Sequence, residues 1–168
     1  LCEYGVLPIE NSTSGTIDQV YDLMLGHKFH IVRSCRLKVR HCLLLPAGAK
    51  ISDITEIISH EQGLKQCANY IKSLGKVKLT TAASTAVAAK TVSESGRKDI
   101  AAIAAKECAG IYGLQIGKEN IQDKDSNYTR FICISQNPEI YPGSNKISIM
   151  GLLPHKPGAL YSLLARFA

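Results

Sequence analysis

The sequence lacks any stretch of eighteen or more consecutive apolar residues, so it offers no segment that would span a membrane as a helix. Residues 1–5 have neither the basic start nor the apolar run of a secretory signal peptide. We therefore expect a cytoplasmic protein that does not bind membranes. The length of 168 residues and the hydrophobic content of 45% suffice for one domain with a buried core, and are too small for two complete ones.

Metal and cofactor motifs are also missing. The six cysteines include no Cys-x-x-Cys pair, which argues against a zinc site or a redox motif and favours small buried hydrophobes. The sequence has no glycine-rich dinucleotide or phosphate loop, no His-Glu-x-x-His and no Gly-x-Ser-x-Gly. We therefore predict no cofactor and no metal.

The charge is not concentrated anywhere. The net charge of +6 comes from Lys and Arg residues spread along the whole chain, and only 6% of the residues are aromatic. A nucleic-acid partner is therefore not expected, because such partners need a dense basic patch. A mildly basic protein does suit an anionic small molecule.

Apolar runs of strand length alternate with stretches of helical spacing, which is typical of an α/β protein with crossover helices. Strands are predicted at residues 4–9, 30–37, 38–45, 56–59, 78–81, 100–104 and 130–135. Helices are predicted at residues 16–25, 61–74, 84–94 and 106–112.

The predicted helix at 61–74 is the clearest. Spacings of three and four produce an apolar stripe that we expect to face the core, made of Leu64, Cys67, Ala68, Ile71 and Leu74. A polar face that borders either solvent or a ligand cleft is formed by Gln62, Gln66 and Asn69. Ser59 followed by Gln62 fits a capping box with Ser59 at the N-cap.

Three strand-to-helix junctions are rich in small hydroxyl and amide residues, namely residues 11–15, Ser59 and residues 83–86. Helix N-termini at the carboxyl edge of an α/β sheet bind anions through free backbone N–H groups. The alternative is simple helix capping, for which Ser, Thr and Asn are the preferred residues, and for any one junction alone it is favoured. Three together favour an anion-binding cleft.

The composition changes after residue 135, where Pro138, Pro142 and Gly143 indicate a linker. A strand at 146–152 and a helix-like segment after Gly158 then follow. We assign a first domain to residues 1–137, a linker to 138–145 and the start of a second domain to 146–168.

A series of segments resembles the prephenate dehydratase family, in the family's order. These segments are residues 7–15 (LPIENSTSG), 41–44 (HCLL), 59–62 (SHEQ), 84–86 (STA), 101–104 (AAIA), 112–114 (YGL) and 127–131 (NYTRF). The resemblance covers residues 4–135 almost without a gap. Residues 157–160 (PGAL) resemble the opening of the ACT domain, the module that in this family binds phenylalanine.

The resemblance implies a two-lobed α/β catalytic domain similar to type II periplasmic binding proteins, with an incomplete first lobe. It would be followed by the first strand and helix of an α+β ACT domain. Residues 7–15 would be the first crossing between the lobes, and residues 127–131 would lie near the return. The glycine-rich opening segment of the family does not precede residue 1, so we expect this fragment alone to have little or no activity.

The implied activity is the decarboxylating dehydration of prephenate to phenylpyruvate in phenylalanine biosynthesis, under feedback by phenylalanine and without a cofactor. Relatives are commonly dimers or tetramers, so a homo-oligomer is expected. Some relatives also carry a chorismate mutase domain upstream, and the parent protein is either of that kind or of the single-function kind. The alternative function is a noncatalytic small-acid-binding module of the same two-lobed fold.

The resemblance assigns the central catalytic role to Thr129, as a hydrogen-bond donor to the departing hydroxyl. Three further catalytic residues carried over are Asn11, Ser59 and Gln66. The residues carried over as substrate-binding are Glu10, Ser12, Gly15, Ser84, Thr85, Ala86, Asn127, Arg130 and Phe131. Phenylalanine would bind at Gly158, Ala159 and Leu160.

Some of these positions have ordinary alternatives. Phe131 suits core packing and Arg130 suits the surface of a strand. His60 is interpreted as structural. Ala83 stands where some relatives have a glutamate, which excludes a carboxylate at that point.

Overall fold

The computed structural model describes residues 2–149 and 151–167. Its strands are β1 (Tyr4–Asn11), β2 (Gly15–Thr16), β3 (His30–Lys38), β4 (Cys42–Leu45), β5 (Glu56–Ser59), β6 (Lys78–Thr81), β7 (Ile100–Ala104), β8 (Gln115–Lys118) and β9 (Tyr128–Ser135). Its helices are α1 (Asp18–Gly26), α2 (Glu61–Gln66), α3 (Ala68–Ser73), α4 (Thr85–Glu94), α5 (Glu107–Tyr112) and α6 (Ala159–Leu164). The fold is mixed α/β with two sheets, as predicted.

Sheet A has the strand order β2-β1-β9-β3, so the last strand in the described residues lies between two of the first. Both neighbours of β9 run antiparallel to it. Helix α1 covers one face of this sheet, where Val20 and Met24 pack with Ile9 and Ile132. The position of β9 brings residues more than a hundred positions apart in the sequence into direct register.

Sheet B has the order β6-β5-β7-β4-β8, with β5, β6 and β7 parallel to one another. Every residue of β5 and β7 is buried, as expected for parallel strands covered on both faces. On one face Ala88 and Val92 of α4 pack against the sheet, and on the other face Leu64 and Ile71 do so. The predicted apolar stripe of residues 64–74 is therefore confirmed for Leu64, Cys67, Ile71 and Leu74, whereas Ala68 is half-buried and lies outside this cluster.

Two connections join the sheets. The chain leaves sheet A after β3, enters sheet B at β4, and returns between β8 and β9. The backbone N–H of Val39 donates to the carbonyl of Asn127 (2.9 Å), and that of Ile121 donates to the carbonyl of His41 (3.0 Å). Lys38 and Asp125 also form an ion pair of 3.6 Å. The two connections therefore run side by side.

The prediction that residues 7–15 cross between the lobes is wrong. Strand β1 continues to Asn11, and the chain turns back into β2 of the same sheet. Two local features favour the turn. The Asn11 side-chain oxygen accepts from the backbone N–H groups of Thr13 and Ser14, and Gly15 adopts a φ of 81° that glycine tolerates. The prediction that residues 127–131 lie near the return is confirmed, because β9 starts where the second connection ends.

Strands β5, β6 and β7 have the predicted bounds, and β1, β3, β9, α1, α4 and α5 differ from them by one or two residues at an end. Larger differences occur elsewhere. The strand predicted at 38–45 begins only at Cys42, and the helix predicted at 61–74 is interrupted at Cys67, whose φ of −119° is not helical. Strands β2 and β8 were not predicted, because neither has a long apolar run.

The strand predicted at 146–152 is not present in its described residues, and residue 150 lies outside them. Ile147 and Leu152 are 84% and 89% exposed, and the described part of the chain offers this segment no partner strand for its backbone. The helix after Gly158 is present as α6. None of the helices in residues 2–149 and 151–167 has the length and hydropathy needed to cross a bilayer.

Candidate active site

Asn11 and Thr129 are direct partners across the β1–β9 ladder. The Asn11 amide nitrogen donates to the Thr129 hydroxyl oxygen (3.0 Å) and to the side-chain oxygen of Asn127 (2.8 Å). Asn127 is 3% exposed, whereas Thr129 is half-buried. The expectation that these two distant segments meet is therefore confirmed.

The geometry determines what the Thr129 hydroxyl can do. Its oxygen accepts the bond from Asn11, and within the described residues its own hydrogen is donated to no protein group. A hydroxyl that accepts one bond becomes a better donor in the next, because hydrogen bonds in a chain polarise one another. The Thr129 hydroxyl can therefore donate its hydrogen to a ligand that binds next to it.

The neighbouring turn is held by Asn11 and Ser12. The Asn11 side-chain oxygen accepts from both the backbone and the hydroxyl of Ser14. The Ser12 hydroxyl donates to the carbonyl of Ser126 and accepts from the backbone N–H of Tyr128, both at 2.9 Å. The side chains of Asn11 and Ser12 therefore form hydrogen bonds to other protein groups, and these bonds fix the position of Thr129.

Arg130 and Glu10 lie on the other face of sheet A, because successive side chains of a strand point to opposite faces. They are cross-strand partners with a closest approach of 4.0 Å. Together with Ser12, Arg36 and Tyr128 they line a surface cavity of about 230 Å³. The structure does not place Glu10 and Arg130 beside the Thr129 hydroxyl, whereas Phe131, two residues on, shares its face.

At the carboxyl edge of sheet B, Ser59 is fully buried, and its hydroxyl donates to the carbonyl of Ile103 (2.7 Å). The predicted capping box with Ser59 at the N-cap is wrong. The cap of α2 is His60, whose Nδ1 accepts from the backbone N–H of Gln62 (3.2 Å). The structural interpretation of His60 is thereby confirmed, while Ser59 ties β5 to β7.

Helix α4 begins at the same edge. Ser84 is its N-cap and accepts from the backbone N–H of Val87 (3.1 Å), which is the capping role considered for this junction. Thr85 lies close to α2, since a Cβ added to Gly63 would meet its methyl group at 3.4 Å and the Ser59 hydroxyl at 2.7 Å. Ser84, Thr85 and Ala86 are half-buried at this meeting of two helix N-termini.

Gln66 is joined to the connection between the sheets. Its amide oxygen lies 2.8 Å from Nε2 of His41, which is 6% exposed, and its backbone carbonyl accepts from the N–H of Asp123 (2.7 Å). His41 lies two residues after Val39, whose backbone N–H donates to the carbonyl of Asn127. Gln66 is thereby linked through this connection to the start of β9, where Thr129 lies. The sequence assigned no role to His41, because a lone histidine before an apolar strand carries no functional pattern.

The cysteines nearest to this junction are not nucleophiles. Burial raises the pKa of the Cys67 thiol to about 12, and burial also raises the pKa of Cys42. Both remain protonated at neutral pH. Within residues 2–149 and 151–167, no group of three or more His, Cys, Asp or Glu side chains could hold a metal ion.

Comparison with known proteins gives one consistent family. A family model described as prephenate dehydratase (PDT) matches residues 1–139. The protein named arogenate dehydratase/prephenate dehydratase 1, chloroplastic, of Arabidopsis thaliana is 47% identical over 171 residues, covering 100% of this chain and 43% of the relative. The chain thus spans less than half the length of this curated relative.

Two solved structures share the fold. The prephenate dehydratase of Arthrobacter aurescens in complex with L-Phe has a TM-score of 0.79 at 28% identity, covering 99% of this chain and 56% of that one. A protein described as GqqA, a novel type of quorum quenching acylase, has a TM-score of 0.80 at 30% identity, covering 97% of this chain and 60% of that one. With the family model spanning most of its length, the chain belongs to the prephenate dehydratase family.

Proposed function

We propose that the protein carrying this chain is a dehydratase that converts prephenate to phenylpyruvate, carbon dioxide and water. The observation that carries the proposal is the Thr129 hydroxyl, whose oxygen is bonded by Asn11 while its hydrogen remains available. Membership of the family supports the reaction class.

The reaction makes small demands on the protein. The bond from the ring to its carboxylate breaks, its electron pair enters the ring, and the carbon–oxygen bond at the opposite ring position breaks. Carbon dioxide leaves, and the departing hydroxide takes a proton and becomes water. Because the product ring is aromatic, the enzyme needs only to hold the dianion and stabilise the negative charge that develops on the departing oxygen.

Thr129 would donate to that oxygen. Its acidity is too weak for a free proton donor, so it acts by hydrogen bonding and the proton arrives through water. Asn11 orients the Thr129 hydroxyl through its amide nitrogen, and Asn127 holds that amide in place. Gln66 would bind a substrate carboxylate from the side of sheet B.

The remaining predicted site residues would shape the pocket. Gly15 gives the β1–β2 turn its tight form, and Ser59 secures the edge of sheet B from within the core. The N-terminal turns of α2 and α4, with Ser84, Thr85 and Ala86, would favour a carboxylate electrostatically. Phe131 would pack beside Thr129, and Ser12, Glu10 and Arg130 would support the β1–β9 pairing from the opposite face.

The test is a pair of Thr129 variants in the full-length protein. Thr129→Val has nearly the same shape and lacks the donor, so kcat should fall by about 10²–10³-fold. Thr129→Ser is the matched control and should keep most of the activity. Phenylpyruvate formation is followed with prephenate, and in parallel with arogenate, which carries an amino group in place of the keto group.

Two results would contradict the proposal. If Thr129→Val turned over substrate as fast as the wild type, the hydroxyl would have no catalytic role. If the wild-type protein bound prephenate without turning it over, the noncatalytic binding module would be the correct function.

We also propose that phenylalanine regulates the full-length protein as a homo-oligomer. Gly158, with a φ of 82°, is the N-cap of α6, and Ala159 and Leu160 form its first turn, so the three residues lie together at the start of this helix. The Arthrobacter relative was solved with L-Phe.

Calorimetry should detect phenylalanine binding to the full-length protein and the loss of this binding in Gly158→Val. Sedimentation should show that the full-length protein is a dimer or a tetramer. The cytoplasmic location stays a prediction; the Arabidopsis relative is named as chloroplastic.

A further inference from the structure

His41 is a buried histidine to which neither the family resemblance nor the proposed chemistry assigns a role. Its backbone is fixed twice, since its N–H donates to the side-chain oxygen of Gln122 (3.0 Å) and its carbonyl accepts from Ile121 (3.0 Å). Its ring lies between the connection from β3 to β4, which includes His41, and the C-terminal end of α2. Protein groups therefore hold both the backbone of His41 and one nitrogen of its ring.

The two ring nitrogens differ sharply. Nε2 is bonded to the Gln66 amide oxygen, whereas Nδ1 is the one buried side-chain polar atom without a hydrogen-bond partner in the described residues. A buried N–H without an acceptor is rarer and costlier than a buried lone pair without a donor. The proton therefore belongs on Nε2, which makes the ring the donor and the Gln66 oxygen the acceptor.

This assignment determines which end of the Gln66 amide is available. Its side-chain oxygen is engaged by His41 and its backbone carbonyl by Asp123. Its amide nitrogen donates to no group in the part of the chain that the structure describes. Half-buried Gln66 therefore keeps two N–H donors free, which suits a carboxylate.

We propose that His41 is a positioning residue: its ring holds the Gln66 amide so that the amide N–H groups, and not the oxygen, face the substrate carboxylate. Without this bond the Gln66 amide could turn over and present its oxygen, which repels a carboxylate. The unpaired Nδ1 supports a functional reading, because an apolar side chain of similar size would fill the same space without an unsatisfied nitrogen. The inference rests on the proposed function, since it names the partner of Gln66 as a substrate carboxylate.

The main experiment compares two substitutions in the full-length protein. His41→Leu removes the donor and should raise KM about tenfold with little change in kcat, since the carboxylate that the reaction retains is bound in the ground state and the transition state alike. His41→Gln keeps an N–H donor within reach and should restore most of the affinity. The Tm of His41→Leu should be unchanged or higher. A lower Tm with an unchanged KM would show a merely structural role and overturn the proposal.

A double-mutant cycle isolates the pair. Gln66→Leu alone should raise KM, and adding His41→Leu should raise it no further. If the second substitution multiplied KM by the same factor in both backgrounds, His41 would act independently of Gln66.

A measurement without turnover separates this inference from the proposed function. The histidine ring nitrogens of the full-length protein can be followed by ¹⁵N resonance, and the signals that are absent in His41→Leu are those of His41. His41 should show a protonated Nε2 and a bare Nδ1, with the Nε2 resonance shifting in Gln66→Leu. A proton on Nδ1 with a bare Nε2 would overturn the positioning role whatever the activity. Absence of turnover with both prephenate and arogenate would instead contradict the proposed function and leave the ring assignment intact.

Discussion

Asn11 is the residue on which the candidate site depends most. Its side-chain oxygen closes the β1–β2 turn, and its nitrogen bonds to Asn127 and Thr129. A single amide thus serves two functions that can be separated, because one atom supports the turn and the other orients the hydroxyl.

Asn11→Asp separates these functions. The aspartate keeps an oxygen for the turn but loses the donor, and it brings lone pairs toward the oxygens of Asn127 and Thr129. We expect kcat to fall at least about tenfold while the free energy of unfolding changes less. Rate assays and urea unfolding of the two proteins measure this. In Asn11→Ala both the turn and the donor are lost, so stability should fall as well. Equal kcat in wild type and Asn11→Asp would exclude an orienting role.

At the residue scale, the sequence predicted which segments meet, but it did not predict the hydrogen-bond partner of each side chain. The pairing of Asn11 with Thr129 followed from the ordered motifs of one family. Ser59 looked like a helix cap from its neighbours, yet its hydroxyl bonds to Ile103, forty-four residues away on a parallel strand. Such a partner depends on strand order, which local spacing does not contain.

Helix α4 is the element that positions the second helix N-terminus of the site. Ala88, Ala89 and Val92 are at most 1% exposed and pack against sheet B, so the helix is anchored by its apolar face. Its start is fixed by the Ser84 cap.

Ser84→Ala should destabilise the protein by about 1 kcal/mol, because the backbone N–H of Val87 loses its partner. Ser84→Asp restores an acceptor at the cap and adds negative charge at a helix N-terminus, so its stability should match the wild type. Denaturant unfolding compares the three proteins. Equal stability of Ser84→Ala and wild type would mean that water replaces the cap without cost.

The elements that the sequence predicted well are those with a complete local pattern. Strand β7 is a short apolar run between polar residues, and β5 has two central isoleucines between Glu56 and Ser59; the bounds of both were correct. Strand β8 has only alternate half-buried residues, and its existence depends on pairing with β4. The interruption at Cys67 leaves the apolar stripe intact, so the periodicity could not reveal it.

At the scale of the whole molecule, Glu56 joins β5 to β6 and to the loop before β7, at the edge of sheet B opposite the site. Its carboxylate accepts from the Thr80 hydroxyl (2.6 Å) and pairs with Lys78 (3.0 Å) and Arg97 (2.9 Å). The bond from Thr80, followed by those from Lys78 and Arg97, lowers the pKa of Glu56 from 4.5 to about 2.

The lowered pKa gives folding a defined pH dependence. A carboxyl group whose pKa is lower in the folded state stabilises it fully above the unfolded value and loses this effect as the pH falls from about 4.5 toward 2. Glu56→Gln should therefore be less stable than wild type at pH 7, and the difference should narrow below pH 4.5. Urea midpoints of both proteins between pH 7 and pH 3 test this. A constant difference across that interval would contradict the assignment.

The two side-by-side connections between the sheets restrict how the halves of the molecule can move. The backbone hydrogen bond between Val39 and Asn127 joins the two connections where they leave sheet A, so a change in the angle between the sheets would bend the chain close to these two residues. Atoms near the axis of such a rotation move least. The hydroxyl of Thr129, two residues from Asn127, would therefore keep its position, while the distant edges of the two sheets would move farthest.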